Sequence, residues 1–129
     1  MDGGIEKVKT FKDLRVWQAA YTLSLEIYRM THNFPKYEQY GLSSQMQRAA
    51  VSVCSNIAEG FGRRGVREKD QFYAMANGSL TELENQLLIA AGIGYIDKVS
   101  ANNTYSQCEI VHKMLCKLQI VNKQKGVKS

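Results

Sequence analysis

Apolar residues spaced by three and four dominate this sequence, and no stretch of it alternates with period two. Residues at i, i+3, i+4 and i+7 share one face of an α-helix, so the chain is written for helices. From about 13 to 33, Leu14, Trp17, Tyr21, Leu25 and Tyr28 form one row, and Val16, Ala20, Leu23, Ile27 and Met30 form a second beside it. Two rows make a face wide enough for two neighbours. A second segment, about 42–60, carries Leu42, Met46, Ala49, Val53 and Ile57; a third, about 67–94, carries Phe72, Ala76, Leu80, Leu83, Leu87 and Ala90. The fourth, about 101–123, carries Tyr105, Cys108, Val111, Leu115 and Leu118. Four helices on short connections predict an all-α, antiparallel up-down four-helix bundle. One domain is expected over 1–129, with residues 124–129 a flexible polar tail.

Turn and cap chemistry supports these boundaries. Thr10 or Asp13 suits the start of the first helix, and Pro35 its end. Ser43 or Ser44 suits the second, which should stop in the glycine-rich run Gly60-Phe61-Gly62-Arg63-Arg64-Gly65. Gly92, Gly94 and Asp97 close the third, and Ser100 or Asn102 opens the fourth. Gly78 inside the third helix costs about 1 kcal/mol relative to alanine, which predicts a close helix approach there. At 129 residues the chain buries enough surface to fold without a disulfide or metal. It holds no apolar run of membrane-spanning length. MDGGIEKVKT lacks the apolar core of a secretory signal, so a cytoplasmic location is expected.

The formal charge of +5 is modest, but its placement is uneven. Residues 63–69 hold Arg63, Arg64, Arg67 and Lys69 against Glu68, a net of +3. Residues 70–109 are acidic, a net of −4, and residues 110–129 hold Lys113, Lys117, Lys123, Lys125 and Lys128 with no acid. A basic turn and a basic helix end suit sequence-independent phosphate contact. The alternative is a solvated face. Tyr105 is the nearest ring to the C-terminal lysines, so base stacking is not indicated.

Several motifs lose their sharp reading in context. Gly60 to Gly65 matches G-x-G-x-x-G, but that fingerprint needs a preceding strand. Here it reads as a helix stop and turn, with two arginines near the start of the next helix, where free N–H groups favour anions. Glu109-Ile110-Val111-His112 matches the Glu-x-x-His unit of di-metal bundles, which need a second unit; His32 has Arg29 in place of the glutamate. No metal or cofactor is expected. Cys54, Cys108 and Cys116 show no metal or disulfide spacing. No nucleophilic triad is legible, no catalytic residue is assigned, and the chain is not expected to be an enzyme.

A polar stripe is the most specific local feature. Gln45, Arg48, Ser52, Ser55, Asn56 and Glu59 share about 100° of the second helix. Ser79, Glu82 and Gln86 line up likewise on the third. Interhelical pairs Arg48–Glu82 and Asn56–Ser79 would fix register; the competing reading is a ligand pocket.

Read together, Phe11 to Gln18, Phe34-Pro35 with Tyr40-Gly41-Leu42, Gln45 to Val53, Ser55 to Gly60 and Gly78 to Glu84 resemble a known family. It is the four-helix-bundle family encoded by intervening sequences in bacterial 23S ribosomal RNA genes. The resemblance spans about residues 10–96. It implies an up-down bundle and a ring-shaped homo-oligomer, a pentamer. A similar bundle, the accessory variability determinant of diversity-generating retroelements, implies binding to nucleic acid, RNA first, and to a reverse transcriptase. Cys54 stands where many relatives carry proline, so a proline kink does not carry over. The expected function is therefore non-enzymatic nucleic-acid binding, with phosphate contacts from Arg63, Arg64, Arg67, Lys69, Lys113, Lys117 and Lys123. The alternative is a protein–protein assembly scaffold. Arg48, Ser52, Asn56, Glu59, Ser79 and Glu82 are expected to form a structural polar network.

Overall fold

The computed structural model describes residues 8–128. The first seven residues, which begin the MDGGIEKVKT stretch, and the side chain of Lys128 lie outside what is described. A 3₁₀ turn over Phe11–Asp13 leads into α1 (Arg15–His32), followed by a second such turn (Lys36–Glu38). Then come α2 (Leu42–Gly62), α3 (Val66–Ile93) and α4 (Lys98–Lys128). Each helix packs against its neighbours in the order α1, α2, α3, α4, and α4 returns to α1. The expected four-helix bundle is what forms.

The core is the seam where the four apolar rows meet. Leu23 and Ile27 of α1 meet Met46, Val53 and Ile57 of α2, Leu80, Leu83 and Leu87 of α3, and Val111 and Leu115 of α4, all with at most 1% exposure. Fully burying side chains of this size contributes about 1.5–3 kcal/mol each. Only one of the two rows read on α1 faces this seam. Val16, Ala20, Leu23 and Ile27 are buried, whereas Tyr21, Leu25 and Tyr28 are 39–47% exposed. Trp17 spans the two, stacked on Tyr21 at 5.2 Å and edge-on to Phe11 at 5.1 Å. α1 does touch two helices; Leu14 and Trp17 at the start of the outer row pack against the core, and Tyr21, Leu25 and Tyr28 face outward.

The helix ends depart from the expected caps. Asp13 Oδ2 accepts from the N–H groups of Lys9 and Thr10 at 2.9 and 3.0 Å, which orders the 3₁₀ turn rather than α1. Neither Ser43 nor Ser44 caps α2. Instead Glu38 Oε1, four residues back, accepts from Leu42 N at 3.1 Å. Asp97, not Ser100 or Asn102, caps α4: its two oxygens accept from Ser100 N at 2.8 Å and Ser100 Oγ at 3.0 Å. The helix therefore starts at Lys98. It also continues through residues 124–128, expected as a tail, because Asn122 and Gly126 seat against Val66. Asn122 Nδ2 donates to Val66 O at 3.0 Å, and a Cβ at Gly126 would lie 3.0 Å from Val66 Cγ1. α3 ends at Gly94, whose φ of 98° is a left-handed turn that glycine takes without strain. α2 runs unbroken through Cys54.

The close helix approach is at Gly60, not Gly78. A Cβ at Gly60 would lie 2.6 Å from Tyr73 Cε1 and 3.0 Å from Phe72 Cβ, whereas one at Gly78 would meet nothing within 4 Å. At the opposite end of the bundle, Tyr95 O–H donates to Glu38 Oε2 at 2.7 Å and also lies 3.1 Å from Tyr37 Oη. That bond first, and the Leu42 amide second, hold the Glu38 carboxyl below its usual range. The contact with the Tyr37 hydroxyl first, and the bond to Glu38 second, raise the Tyr95 phenol.

Two glycine substitutions should therefore move stability in opposite directions. Gly78→Ala should raise it by about 0.5–1 kcal/mol, because only the backbone entropy changes. Gly60→Ala should lower it by about 1–3 kcal/mol, because Tyr73 is buried and cannot yield. Urea denaturation midpoints measure both. Glu38, with its folded pKa depressed, contributes stability that is present above the ordinary glutamate range. That contribution is lost as pH falls through the depressed value. Glu38→Gln should flatten the acid limb of stability against pH, read by thermal unfolding.

Candidate functional site

The antiparallel pairing of α3 with α4 brings two separate basic segments to one end of the bundle. Val66, at the first turn of α3, is held by Asn122 and packs on Gly126. Arg63, Arg64 and Arg67 thus share an end with Lys123 and Lys125. Arg64 and Arg67 are exposed and make no side-chain hydrogen bond or ion pair among the described residues. Their charge is free to meet an anion. Arg63 is partly engaged: it pairs with Glu59 at 3.2 Å and lies over the Phe72 ring, 4.7 Å from its centre. An exposed pair of this kind contributes little, so the guanidinium remains available.

Lys69 is occupied inside the fold. Its ammonium donates to the carbonyls of Phe61 at 2.7 Å and Gly60 at 3.2 Å, and lies 5.4 Å from the centre of the Phe61 ring. It closes the C-terminal end of α2, where orphan carbonyls and the helix dipole favour a cation. Burial first, and the nearby Lys125 second, lower its pKa. Lys123 is exposed on the last turns of α4 near the basic end. Lys113 and Lys117 are exposed further along α4, and Lys117 lines a groove with Leu14, Arg15 and Val16 of α1. Lys113 lies about 15 Å along the helix from Lys123. The expected contacts therefore split into a cluster at one end and two lysines on the flank. Gly60 and Gly62 lie within α2, and Gly65 is the residue that precedes α3, so the glycine-rich run is a helix junction.

The polar stripe forms a smaller network than expected. Ser52 and Ser79 hydroxyls are 2.8 Å apart, and Asn56 Nδ2 donates to Ser52 Oγ and O at 3.0 and 2.9 Å. Ser52, not Asn56, is thus the residue that crosses to α3. Arg48 and Glu82 line one cleft of about 360 Å³ with Gln45, Ala49, Ser52, Ser79 and Gln86. They form no ion pair: the salt bridges among the described residues are Glu26–Arg29 and Glu59–Arg63. Exposed side chains gain little from such a pair, which explains its absence. Glu59 faces Arg63 and takes no part in the network.

A second polar group was not legible in the sequence. Cys116 Sγ lies 3.7 Å from His112 Nε2, and His112 Nδ1 lies 2.9 Å from Asn77 Oδ1. His112 and Cys116 are four apart on α4, a spacing that places them on one face. Asn77, 35 residues before the histidine, reaches them only because α3 packs beside α4. Glu109, the acid of the Glu-x-x-His unit, takes no part in it. No group of three metal-ligating side chains occurs among the described residues, and no helix there is long and apolar enough to cross a membrane.

Comparison with known proteins agrees with this architecture. The family model described as 23S rRNA-intervening sequence protein matches residues 12–117. No curated protein matches. Among solved structures, a protein of unknown function from the S23 ribosomal protein family of Bacteroides thetaiotaomicron VPI-5482 is 18% identical, with a TM-score of 0.73. The alignment covers 81% of this chain and 97% of that one. At that identity the likeness establishes a shared fold.

Proposed function

The chain belongs to the 23S rRNA-intervening sequence protein family, and from that premise we propose that it is a non-enzymatic nucleic-acid-binding protein whose preferred ligand is RNA. The supporting observation is the convergence at one end of the bundle of Arg63, Arg64 and Arg67 with Lys123 and Lys125, held by the contacts of Val66. Cations on two neighbouring elements track a phosphate backbone better than a single run does. The rings beside these cations, Phe61 and Phe72, are half-buried and already face Lys69 and Arg63, so contact is to phosphate and carries no base sequence. Lys69 orders the junction from within, and Lys113 and Lys117 extend the basic surface along α4.

A second reading, self-assembly, is favoured by the row Tyr21, Leu25 and Tyr28, which α1 presents outward. Exposed aromatic and aliphatic residues in line suit an interface between copies. In a homo-oligomer, a pentamer included, each basic end repeats once per subunit.

Fluorescence anisotropy with a labelled single-stranded RNA across a salt series tests the first reading. Affinity should fall steeply with salt, and the log–log slope should shrink by about 0.7 for each of Arg64→Ala and Arg67→Ala. Lys69→Met should instead lower stability by about 1 kcal/mol and leave that slope in place. Absence of binding at low salt would exclude the proposal. Light scattering tests assembly: a mass well above 14.6 kDa that drops on Tyr21→Ser with Tyr28→Ser supports it. A lone monomer eliminates it.

A further inference from the structure

The three cysteines sit in different surroundings. Cys108 is buried on α4, and burial first, with Glu84 next, pushes its thiol up to about 12. Cys54 is half-buried with its Sγ 3.4 Å from Ser24 Oγ, and burial raises it too. Cys116 alone has a base beside it. Its neighbour His112 is exposed, and the 3.7 Å contact lies at the surface.

The hydrogen bonds behind His112 admit one direction. Gln119 Nε2 donates to Asp70 Oδ1 at 3.2 Å. A carboxylate accepts only, so the amide nitrogen of Gln119 faces Asp70 and its oxygen faces Asn77. Asn77 Nδ2 donates to that oxygen at 2.8 Å, which turns Asn77 Oδ1 toward His112 Nδ1 at 2.9 Å. A carbonyl also accepts only, so Nδ1 carries the ring proton. In the neutral imidazole, Nε2 then holds the lone pair, and it is Nε2 that faces Cys116 Sγ. Reversing any amide in the chain would set two donors or two acceptors against each other. The histidine is held in one tautomer by a relay anchored on another helix, which is how a general base is oriented beside a nucleophile.

We propose that Cys116 is a base-assisted nucleophile that takes up small disulfides by thiol–disulfide exchange. A bond forms between Cys116 Sγ and one sulfur of the disulfide, and the disulfide's S–S bond breaks. The other sulfur leaves with the bonding pair as a thiolate. The Cys116 proton passes to His112 Nε2, and from the imidazolium to the departing thiolate. The Cys116 sulfur is oxidised to the mixed disulfide, and the leaving sulfur is reduced to a thiol. Asn77 and Gln119 act as positioning residues. Along α4, Glu109, Lys113 and Lys117 lie within four residues of His112 or Cys116, and α3 contributes Asp70 through Gln119. Of these, Asp70 is the one joined to the relay.

The test uses the full chain and dithiodipyridine, a small disulfide whose product absorbs, with rates read from about pH 6 to about pH 10. Peptide mapping should place the first label on Cys116, ahead of Cys54 and Cys108. A free thiol is only a few per cent thiolate at pH 7, so base assistance is worth at most a few tens-fold there. His112→Gln should therefore slow labelling about tenfold near pH 7 and leave the rate near pH 10 unchanged. Asn77→Leu should do the same, because Nδ1 then loses the acceptor that fixes its proton. Cys116 is half-buried, as Cys54 is, and partial exposure alone would predict none of these differences. Oxidised glutathione should add one mixed disulfide, at Cys116. A wild-type pH profile in His112→Gln, or equal labelling of Cys54 and Cys116, would overturn the assignment. His112 is exposed, so its replacement keeps the fold, and unchanged urea midpoints verify this.

Discussion

A glycine at position 60 lets the last turns of α2 lie against the ring of Tyr73, where a methyl group would come within 2.6 Å of Cε1. That approach sets the depth at which α2 meets α3, and the ladder above it follows. Ser52 and Ser79 come within 2.8 Å, and Met46, Val53 and Ile57 share one dry layer with Leu80, Leu83 and Leu87. It also fixes the junction after α2. With the helix end pinned on α3, Arg63 crosses the face of Phe72 and the carbonyls of Gly60 and Phe61 turn toward Lys69. The basic end is therefore presented by a packed helix contact rather than by a loose loop.

Periodicity made the fold legible, because three- and four-residue spacing is a direct consequence of helix geometry. It did not say which of two adjoining rows on α1 would face inward. Tyr21, Leu25 and Tyr28 are as regular as Leu23 and Ile27, and only the placement of α2 and α4 separates them. Residue type alone misplaces the caps for a related reason. Ser43, Ser44, Ser100 and Asn102 suit the role by type, while Glu38 reaches forward from a 3₁₀ turn to Leu42 N and Asp97 supplies both oxygens to Ser100. Gly78 shows the limit of composition: a glycine inside a helix signals close packing only where a neighbour occupies the space a side chain would take.

The charge pattern was legible along the chain but its convergence was not. Arg63 to Arg67 and Lys123 to Lys125 are separated by most of α3 and most of α4. Two long antiparallel helices return the chain to its starting level, so these distant segments become neighbours. The Cys116–His112–Asn77 chain has the same origin. Its i, i+4 half is visible in the sequence, and its orienting half arrives from α3. Long-range polar relays leave no periodic trace, because each member needs only one partner at one level.

Adjacent residues near the start of α3 show how donors and acceptors without alternatives organise this end. Lys69 has donors only, and Asp70 has acceptors only. Lys69 therefore finds the unpaired carbonyls at the end of α2, and Asp70 finds the amide of Gln119 on α4. About 100° of helix rotation separates the two side chains, and α3 has α2 on one flank and α4 on the other. One pair of consecutive residues thus ties three helices at the level where the cations gather. The same pair divides the labour of the two sites. Lys69 supports the junction that presents Arg63, Arg64 and Arg67, and Asp70 anchors the relay that orients His112. Two sites with unrelated chemistry share one short stretch of helix because opposite hydrogen-bonding rules send its neighbouring side chains to opposite partners.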